Sequence, residues 1–152
     1  YDRLCWFGLG PHETYTDRKA GGKLNRYEST VAEQYFPYVV PQENGNKEDV
    51  RWFALTHSCG TGLQVQAVSA PFGFSAHRFT PEDLTAARHI NEVTFRKDTT
   101  VLIDAAMRGL GTGACGPDTL PGYLVTPGTY RLAFALIPVH TGTRPERKPL
   151  QL

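Results

Sequence analysis

The sequence lacks both a long hydrophobic run and an excess of charge of one sign. Its 152 residues carry sixteen Lys and Arg against fifteen Asp and Glu, a formal net charge of +1. Without a strong positive field, binding to nucleic acid or to an anionic membrane is disfavoured. Without about twenty consecutive apolar residues, no membrane-spanning helix is expected. These absences predict a soluble domain with neither a nucleic-acid nor a membrane partner.

Cysteine is scarce and widely spaced. Cys5, Cys59 and Cys115 are odd in number and form no Cys-x-x-Cys pair, which argues against a disulfide framework and against a zinc site. The five histidines also lack the short spacing of a metal-binding pair. They are His12, His57, His77, His89 and His140. We therefore expect no metal site and a reducing, cytoplasmic compartment.

Glycine and proline are abundant, with fifteen and eleven copies scattered between short apolar runs. Short apolar runs separated by such turn-forming residues are typical of an all-β fold. Strands are predicted at 4–9, 35–40 (an edge or bulged strand, because of Pro37), 50–56, 63–68, 71–76, 99–106 and 130–139. Residues 14–26 show no sustained period, and no structure is expected there.

Local signals add one helix and one hairpin. Thr80 is a hydroxyl N-cap followed by Pro81 and two acids, which predicts a short helix near residues 81–89. Asn44-Gly45 predicts a hairpin turn, because both residues tolerate positive φ. Trp6 and Trp52 lie within apolar strand patterns and are predicted to be core residues.

No catalytic arrangement stands out from the residues themselves. The glycine loop at 109–113 lacks the Lys-Ser/Thr pair of a phosphate-binding loop. His12 and Glu13 could be the acid and base of a sugar epimerase, but adjacent strand residues point to opposite faces. Glycoside hydrolysis needs a pair of facing carboxyl groups. Nothing selects a pair among Glu13, Glu43, Glu48, Asp104 and Asp118.

Five stretches of sequence occur together in a specific order. They are WFGLGPHE at 6–13 with Tyr15 and Asp17-Arg18, YFPYVVPQENG at 35–45 with Val50-Arg51-Trp52, PFGFS at 71–75, LTAARHINE at 84–92, and Ile103-Asp104 through Gly109-Leu110-Gly111 to Gly116-Pro117-Asp118. This series closely resembles a block of the long bacterial β-galactosidases of glycoside hydrolase family 2. The resemblance spans roughly residues 4–137.

The resemblance implies a fold and a place in a larger protein. In that family these strings lie in the last, small-chain domain, a β-supersandwich similar to galactose mutarotase, and this chain resembles its C-terminal half. We expect that domain at 1–140 and a flexible tail at 141–152, with Tyr1 marking a fragment cut from a longer chain. The family's catalytic carboxylates lie in a separate barrel domain, so no catalytic residue is expected here. Its Mg²⁺ and its Na⁺ or K⁺ also bind in other domains, so no cofactor is expected in this chain.

The resemblance also implies a site. In the family, a glycine-rich loop reaches the mouth of the active site and offers a tryptophan to the sugar. The matching residues are Thr112, Gly113, Ala114, Cys115 and Gly116. Cys115 stands in the place of that tryptophan, which suggests a roomier and less aromatic acceptor subsite.

The favoured hypothesis is a non-catalytic domain of a β-galactosidase, an enzyme that hydrolyses terminal β-D-galactosides such as lactose. Its expected partners are the remaining domains of the parent, a β-galactoside at the pocket edge, and a second copy through self-association. An independent carbohydrate-binding or aldose-epimerase-like module is the first alternative. A purely structural oligomerisation domain is the second.

Overall fold

The computed structural model describes residues 1–111 and 116–150. In this part of the chain, eight strands form two antiparallel sheets. The strands are β1 (Arg3–Gly10), β2 (Lys23–Thr30), β3 (Lys47–Val50), β4 (Trp52–Thr56), β5 (Gly62–Ala67), β6 (Phe72–His77), β7 (Thr100–Asp104) and β8 (Phe134–Val139). The five-stranded sheet has the order β2-β1-β4-β5-β8, and the three-stranded sheet has the order β3-β6-β7.

The core lies between the two sheets and confirms the predicted all-β sandwich. Buried apolar side chains of both sheets form one cluster: Leu4, Trp6, Val31, Val50, Phe53, Leu55, Val65, Phe72, Phe74 and Ala76. The rings of Phe53 and Phe74 stack across it with centroids 4.2 Å apart. Trp6 is buried and its indole N–H donates to the carbonyl of Leu9 at 3.0 Å, while Trp52 is buried as well. Both tryptophans are therefore core residues, as predicted.

The chain crosses between the sheets at Arg51. The predicted single strand at 50–56 is divided there, because Val50 pairs with β6 whereas Trp52 pairs with β1. The backbone N–H of Arg51 donates to the carbonyl of Phe7 at 2.9 Å. Gly8 permits this close crossing, since a Cβ on it would lie 2.7 Å from a methyl carbon of Val50. The crossing joins the two sheets at one end.

The helix α1 (Pro81–Ala86) begins where predicted. Thr80 and Asp83 form a capping box, in which the backbone N–H of each residue donates to the side chain of the other at 2.8 and 3.3 Å. The helix ends three residues before the predicted position, because Ala87 is extended and Arg88 donates its N–H to the side chain of Glu92. A 3-10 turn follows at Ile90–Glu92, and two more lie at Ala32–Gln34 and Pro121–Tyr123.

Two local predictions are wrong. Residues 35–40 form no strand, because Tyr38 turns toward the interior and the N–H of Phe36 is capped by the side chain of Asn44 at 3.0 Å. Asn44-Gly45 makes no hairpin, although Gly45 has the expected positive φ of 78°. Instead, Asn44 closes the irregular segment before β3 begins.

Strand β2 was not predicted, since the sequence KLNRYEST has few apolar residues. It forms because it pairs with β1 along eight residues, and because Tyr27 packs on Trp6 with ring centroids 5.1 Å apart. The long-range pairing supplies what the local pattern lacks. The turn at 58–62 joins β4 to β5 through a hydrogen bond from His57 N–H to the carbonyl of Thr61.

The segment after β8 crosses the outer face of β5. The side-chain amides of Gln64 and Gln66 donate to the carbonyls of Glu146 and Lys148, each at 2.8 Å. The N–H of Lys148 donates back to Gln66 at 2.7 Å. The boundary expected at residue 140 stays a prediction. Within the described ranges, no helix has the length and apolar character needed to cross a membrane.

Candidate functional site

The buried carboxylate of Glu13 organises the region beside the sandwich. It follows β1 and accepts from the Arg18 guanidinium at 2.8 Å, from the backbone N–H of Gly45 at 2.8 Å, and from the Tyr38 hydroxyl. Arg18 lies with Glu13 in the segment between β1 and β2, whereas Tyr38 and Gly45 lie in the irregular stretch 35–46 before β3. Glu13 thus ties these two segments together.

Tyr15 lies next to this carboxylate and is fully buried. Its hydroxyl donates to Glu43 at 3.2 Å and accepts from the N–H of Asn46 at 3.4 Å. Burial raises the pKa of Tyr15 far above its usual range, and the nearby charges of Glu43 and Glu13 raise it further. Burial also raises the pKa of Glu43. Tyr15 therefore remains a neutral donor that fixes the start of the next turn.

That turn, residues 15–18, holds a distant part of the chain, and we call it the anchoring turn. It is closed by a hydrogen bond from Arg18 N–H to the carbonyl of Tyr15 at 2.8 Å. Thr16 donates its hydroxyl proton to the carbonyl of Met107 at 3.3 Å. The carboxylate of Asp17 accepts from the N–H groups of Leu110 and Gly111 at 3.2 and 2.7 Å. The anchoring turn thus fixes the chain that leads into the predicted sugar loop.

The same chain is also fixed from its other side. Thr119 donates its hydroxyl proton to the carbonyl of Gly109 at 2.7 Å, and the N–H of Gly109 donates to Tyr123 at 2.9 Å. Arg108 and Asp118 form an ion pair beside these bonds. Residues 108–111 and 117–119 are therefore held together, and they determine where the intervening loop begins and ends.

The described residues include one of the five residues predicted for the sugar pocket. Thr112, Gly113, Ala114 and Cys115 lie outside the described residues. Gly116 is described and is exposed next to the fixed stretch 117–119. The assignment of these five residues to a substrate pocket stays a prediction.

A cavity of about 520 Å³ lies between the anchoring turn and the end of the loop. Tyr38, Leu120 and Tyr123 give it apolar walls, whereas Asp17 and Arg18 give it charged groups. Leu120 is 66% exposed. Aromatic surface combined with a few fixed polar groups is the usual composition of a small-ligand site.

His12 and Glu13, which the sequence allowed but did not select as an epimerase pair, do not have the freedom that this chemistry needs. His12 is exposed, and both oxygens of Glu13 are already engaged by donors. A general base needs a lone pair directed at its substrate. His12 and Glu13 do line a shared cavity of about 290 Å³, but Glu13 serves there as a structural acceptor.

Other buried titratable residues also have structural partners. The Nε2 of His77 lies 2.9 Å from the carbonyl of Asn44, and burial lowers the pKa of His77 to about 4. The ammonium of Lys47 donates to the carbonyl of Gly45 at 2.9 Å, and burial lowers its pKa to about 8. Among residues 1–111 and 116–150, no three His, Cys, Asp or Glu side chains are arranged to hold a metal ion.

Of the carboxylates considered for hydrolysis, Glu48 and Asp118 are also occupied, whereas one oxygen of Asp104 is buried with no hydrogen-bond partner among the described residues. Glu48 accepts from Asn46 at 2.9 Å and pairs with Lys19 at 3.2 Å. Asp118 pairs with Arg108. Burial raises the pKa of Asp104, and the charge of Glu48 adds to the effect.

Fold and site together define a small β-sandwich domain in which hydrogen bonds hold residues 108–111 and 117–119 together. The family model described as beta galactosidase small chain matches residues 1–136. The chain belongs to this family.

Curated relatives support the assignment. The chain is 36% identical over 141 residues to a β-galactosidase of Priestia megaterium, covering 91% of this chain and 14% of the relative. It is 32% identical over 139 residues to a β-galactosidase of Arthrobacter sp. strain B7, covering 89% and 14%. It is 32% identical over 146 residues to a β-galactosidase of Streptococcus thermophilus, covering 92% and 14%. The chain thus spans 14% of the length of each of these relatives.

The residues that hold the loop were not identified as functional from the sequence. Asp17 belongs to the strings that carry the family resemblance, but no role was assigned to it. Its partners Leu110 and Gly111 are more than ninety residues away. Spacing along the chain carries no signal of such a contact.

Proposed function

We propose that this chain acts as the small-chain domain of a β-galactosidase that hydrolyses terminal β-D-galactosides such as lactose. In this role it presents the loop 112–116 at the mouth of the sugar pocket. The observation that carries the proposal is the double anchorage of the loop ends, through Asp17 on one side and Thr119 on the other. Contact with a substrate needs flanking residues that are fixed in position, and these hydrogen bonds fix the residues on both sides of 112–116.

The domain itself does not perform the hydrolysis in this proposal. Retaining and inverting glycosidases both need two carboxyl groups on either side of the scissile bond. The described Glu13, Glu43 and Glu48 instead accept hydrogen bonds from neighbouring side chains. The acid/base and nucleophile carboxylates would therefore come from another part of the parent, together with any Mg²⁺, Na⁺ or K⁺.

The surface supports contact with other domains of the parent. At the β5-β8 end of the five-stranded sheet, Leu63, Phe134 and Leu136 lie on the face that carries the core and are 38%, 38% and 59% exposed. Covering apolar surface contributes about 25 cal/mol per Å². The rest of the parent would cover this face, and in an isolated chain a second copy would do so.

The free thiols of Cys5 and Cys59 support a reducing, cytoplasmic setting for the protein.

The test is a hybrid, here called the carrier enzyme, in which this chain replaces the matching segment of the Priestia megaterium β-galactosidase. The matched control is the same enzyme with that segment deleted. We expect the carrier enzyme to hydrolyse a chromogenic β-galactoside at least about tenfold faster than the deletion control, because a positioned loop restores substrate orientation. A folded carrier enzyme with no more activity than the deletion control would refute the proposed function.

A further inference from the structure

Asp17 connects the anchoring turn to the glycine loop through two bonds to successive backbone groups. Its Oδ2 accepts from the N–H of Gly111 at 2.7 Å, and its Oδ1 accepts from the N–H of Leu110 at 3.2 Å. Hydrogen bonds to an ionised acceptor are stronger than those between neutral groups. One carboxylate thus fixes two consecutive peptide units immediately before the loop.

Gly109 leaves the space that the Asp17 carboxylate occupies. It is buried, and a Cβ on it would lie 2.6 Å from both Cγ and Oδ2 of Asp17. Its φ lies outside the left-handed region. The close approach of Asp17, and not the backbone conformation, therefore explains why a glycine is present.

The anchoring turn is itself held in place by further hydrogen bonds. Arg18 donates to the buried Glu13 at 2.8 Å, and Thr16 donates to Met107 at 3.3 Å. The backbone that carries the Asp17 side chain is therefore fixed. Leu110 and Gly111 can move away from Asp17 only if its two hydrogen bonds break.

We propose that Asp17 is a positioning residue of the sugar pocket, which acts with Gly109 as one unit to set the affinity for the galactoside. The inference rests on the proposed function of the loop. Asp17 does not touch the reacting atoms in this account. Its loss would displace Leu110 and Gly111, which line the cavity of about 520 Å³, and weaken sugar binding, whereas carboxylates elsewhere in the parent would still carry out the chemistry.

The anchorage is tested by amide hydrogen exchange in the carrier enzyme, with residue-level fragmentation over 108–111. Asp17→Ala should accelerate exchange at Leu110 and Gly111 about ten- to a hundredfold, as expected for the loss of charge-assisted bonds. Amides of β1 and β4 should keep their protection. Asp49→Asn is the matched control, because it removes a nearby carboxylate that pairs with Lys19 and should leave exchange at these two amides unchanged.

The functional role is tested by steady-state kinetics on the same variants. Asp17→Ala should raise KM for the galactoside about tenfold and change kcat by less than about threefold. Asp17→Asn keeps one acceptor oxygen, and its KM should lie between those of Asp17→Ala and the unsubstituted carrier enzyme. Asp49→Asn should match the unsubstituted carrier enzyme.

The pairing with Gly109 gives the sharpest test. Gly109→Ala should raise KM in the presence of Asp17, since the new methyl group pushes the carboxylate away. In the Asp17→Ala background, the same substitution should have almost no further effect, so the two changes should be strongly non-additive.

Each failure has a distinct signature. An active carrier enzyme whose KM is unchanged by Asp17→Ala overturns the positioning role while the proposed function stands. Additive effects of Asp17→Ala and Gly109→Ala on KM also overturn the positioning role. A fall in kcat that is accompanied by a fall in thermal stability overturns it as well, because both would indicate a general structural role. A carrier enzyme that is inactive before any substitution, yet shows normal protection at Leu110 and Gly111, refutes the proposed function instead.

Discussion

Replacing the buried Lys47 should change how stability depends on pH. Lys47 is 3% exposed, and its ammonium lies 5.4 Å from the centre of the Trp6 ring while donating to the carbonyl of Gly45. Burial disfavours the charged form and lowers the pKa from 10.5 to about 8. The charged lysine therefore costs free energy in the folded state.

The magnitude and the sign follow from linkage. Between pH 8 and 10.5 the unfolded chain keeps a proton that the folded chain has lost. Stability rises with pH wherever the unfolded state binds more protons. A pKa difference of this size corresponds to about 3 kcal/mol at about 1.4 kcal/mol per unit. This group alone should stabilise the folded state by that amount as the pH rises through the window.

Lys47→Met should remove this dependence. At pH 7 it also leaves the carbonyl of Gly45 without its donor, which costs about 1–3 kcal/mol and offsets the relief from burying a charge. The net change at neutral pH is therefore small. Between pH 8 and 10.5, the free energy of unfolding of the unsubstituted chain should instead rise by about 3 kcal/mol relative to that of Lys47→Met.

Urea denaturation of the isolated chain at half-unit intervals from pH 7 to 10.5 measures this difference. Cys5 and Tyr15 have raised pKa values and lower the stability of both proteins at high pH, so their effects cancel in the comparison. Lys19→Met is the control, since the side chain of Lys19 is 37% exposed. If the curves for Lys47→Met and the unsubstituted chain stay parallel over the whole range, the reasoning is refuted.

Three further outcomes are expected. The purified chain of 152 residues should not hydrolyse a chromogenic β-galactoside, and turnover that survives rigorous removal of host enzyme would contradict this. A thiol reagent should modify Cys115 before Cys5, because burial raises the pKa of Cys5 to about 11 and because the small residues in the sequence around Cys115 predict an accessible loop; the reverse order would contradict this prediction. Cys115→Trp in the carrier enzyme should alter transglycosylation to added acceptors more than it alters the Tm, and unchanged kinetics with every acceptor would argue against a pocket role for this residue.

Much of the sandwich could be predicted because its strands carry their own signals. The alternation around Phe72 and Phe74 and the Thr80 cap depend on neighbours in sequence, and both appear in the structure. Strand β2 (Lys23–Thr30) could not be predicted, since its stability comes from pairing with β1. The aromatic stretch 35–40 misled for the opposite reason, because the hydroxyl of Tyr38 bonds to Glu13 in place of a strand ladder.

The base of the candidate site was inaccessible to local patterns for a related reason. Asp17 and Gly111 are brought together by the fold across ninety-four positions, and neither residue sits in a periodic run. The resemblance assigned residues 112–116 to the sugar pocket, since that inference needs only matching strings, and this assignment stays a prediction. It could not supply the contacts that hold the loop in place.

The structure divides stability and positioning between different interactions. The apolar cluster between the sheets, with rings such as Phe53 and Phe74 buried, provides the bulk of the folding free energy, since truncating one such ring costs about 3–5 kcal/mol. The loop base is held by half-buried polar groups such as Asp17. A hydrogen bond to a charged group contributes about 1.5–3 kcal/mol, which is less than the loss of one core ring. Small energies at the loop base nevertheless determine its geometry, and substitutions there should therefore change sugar affinity well before they change stability.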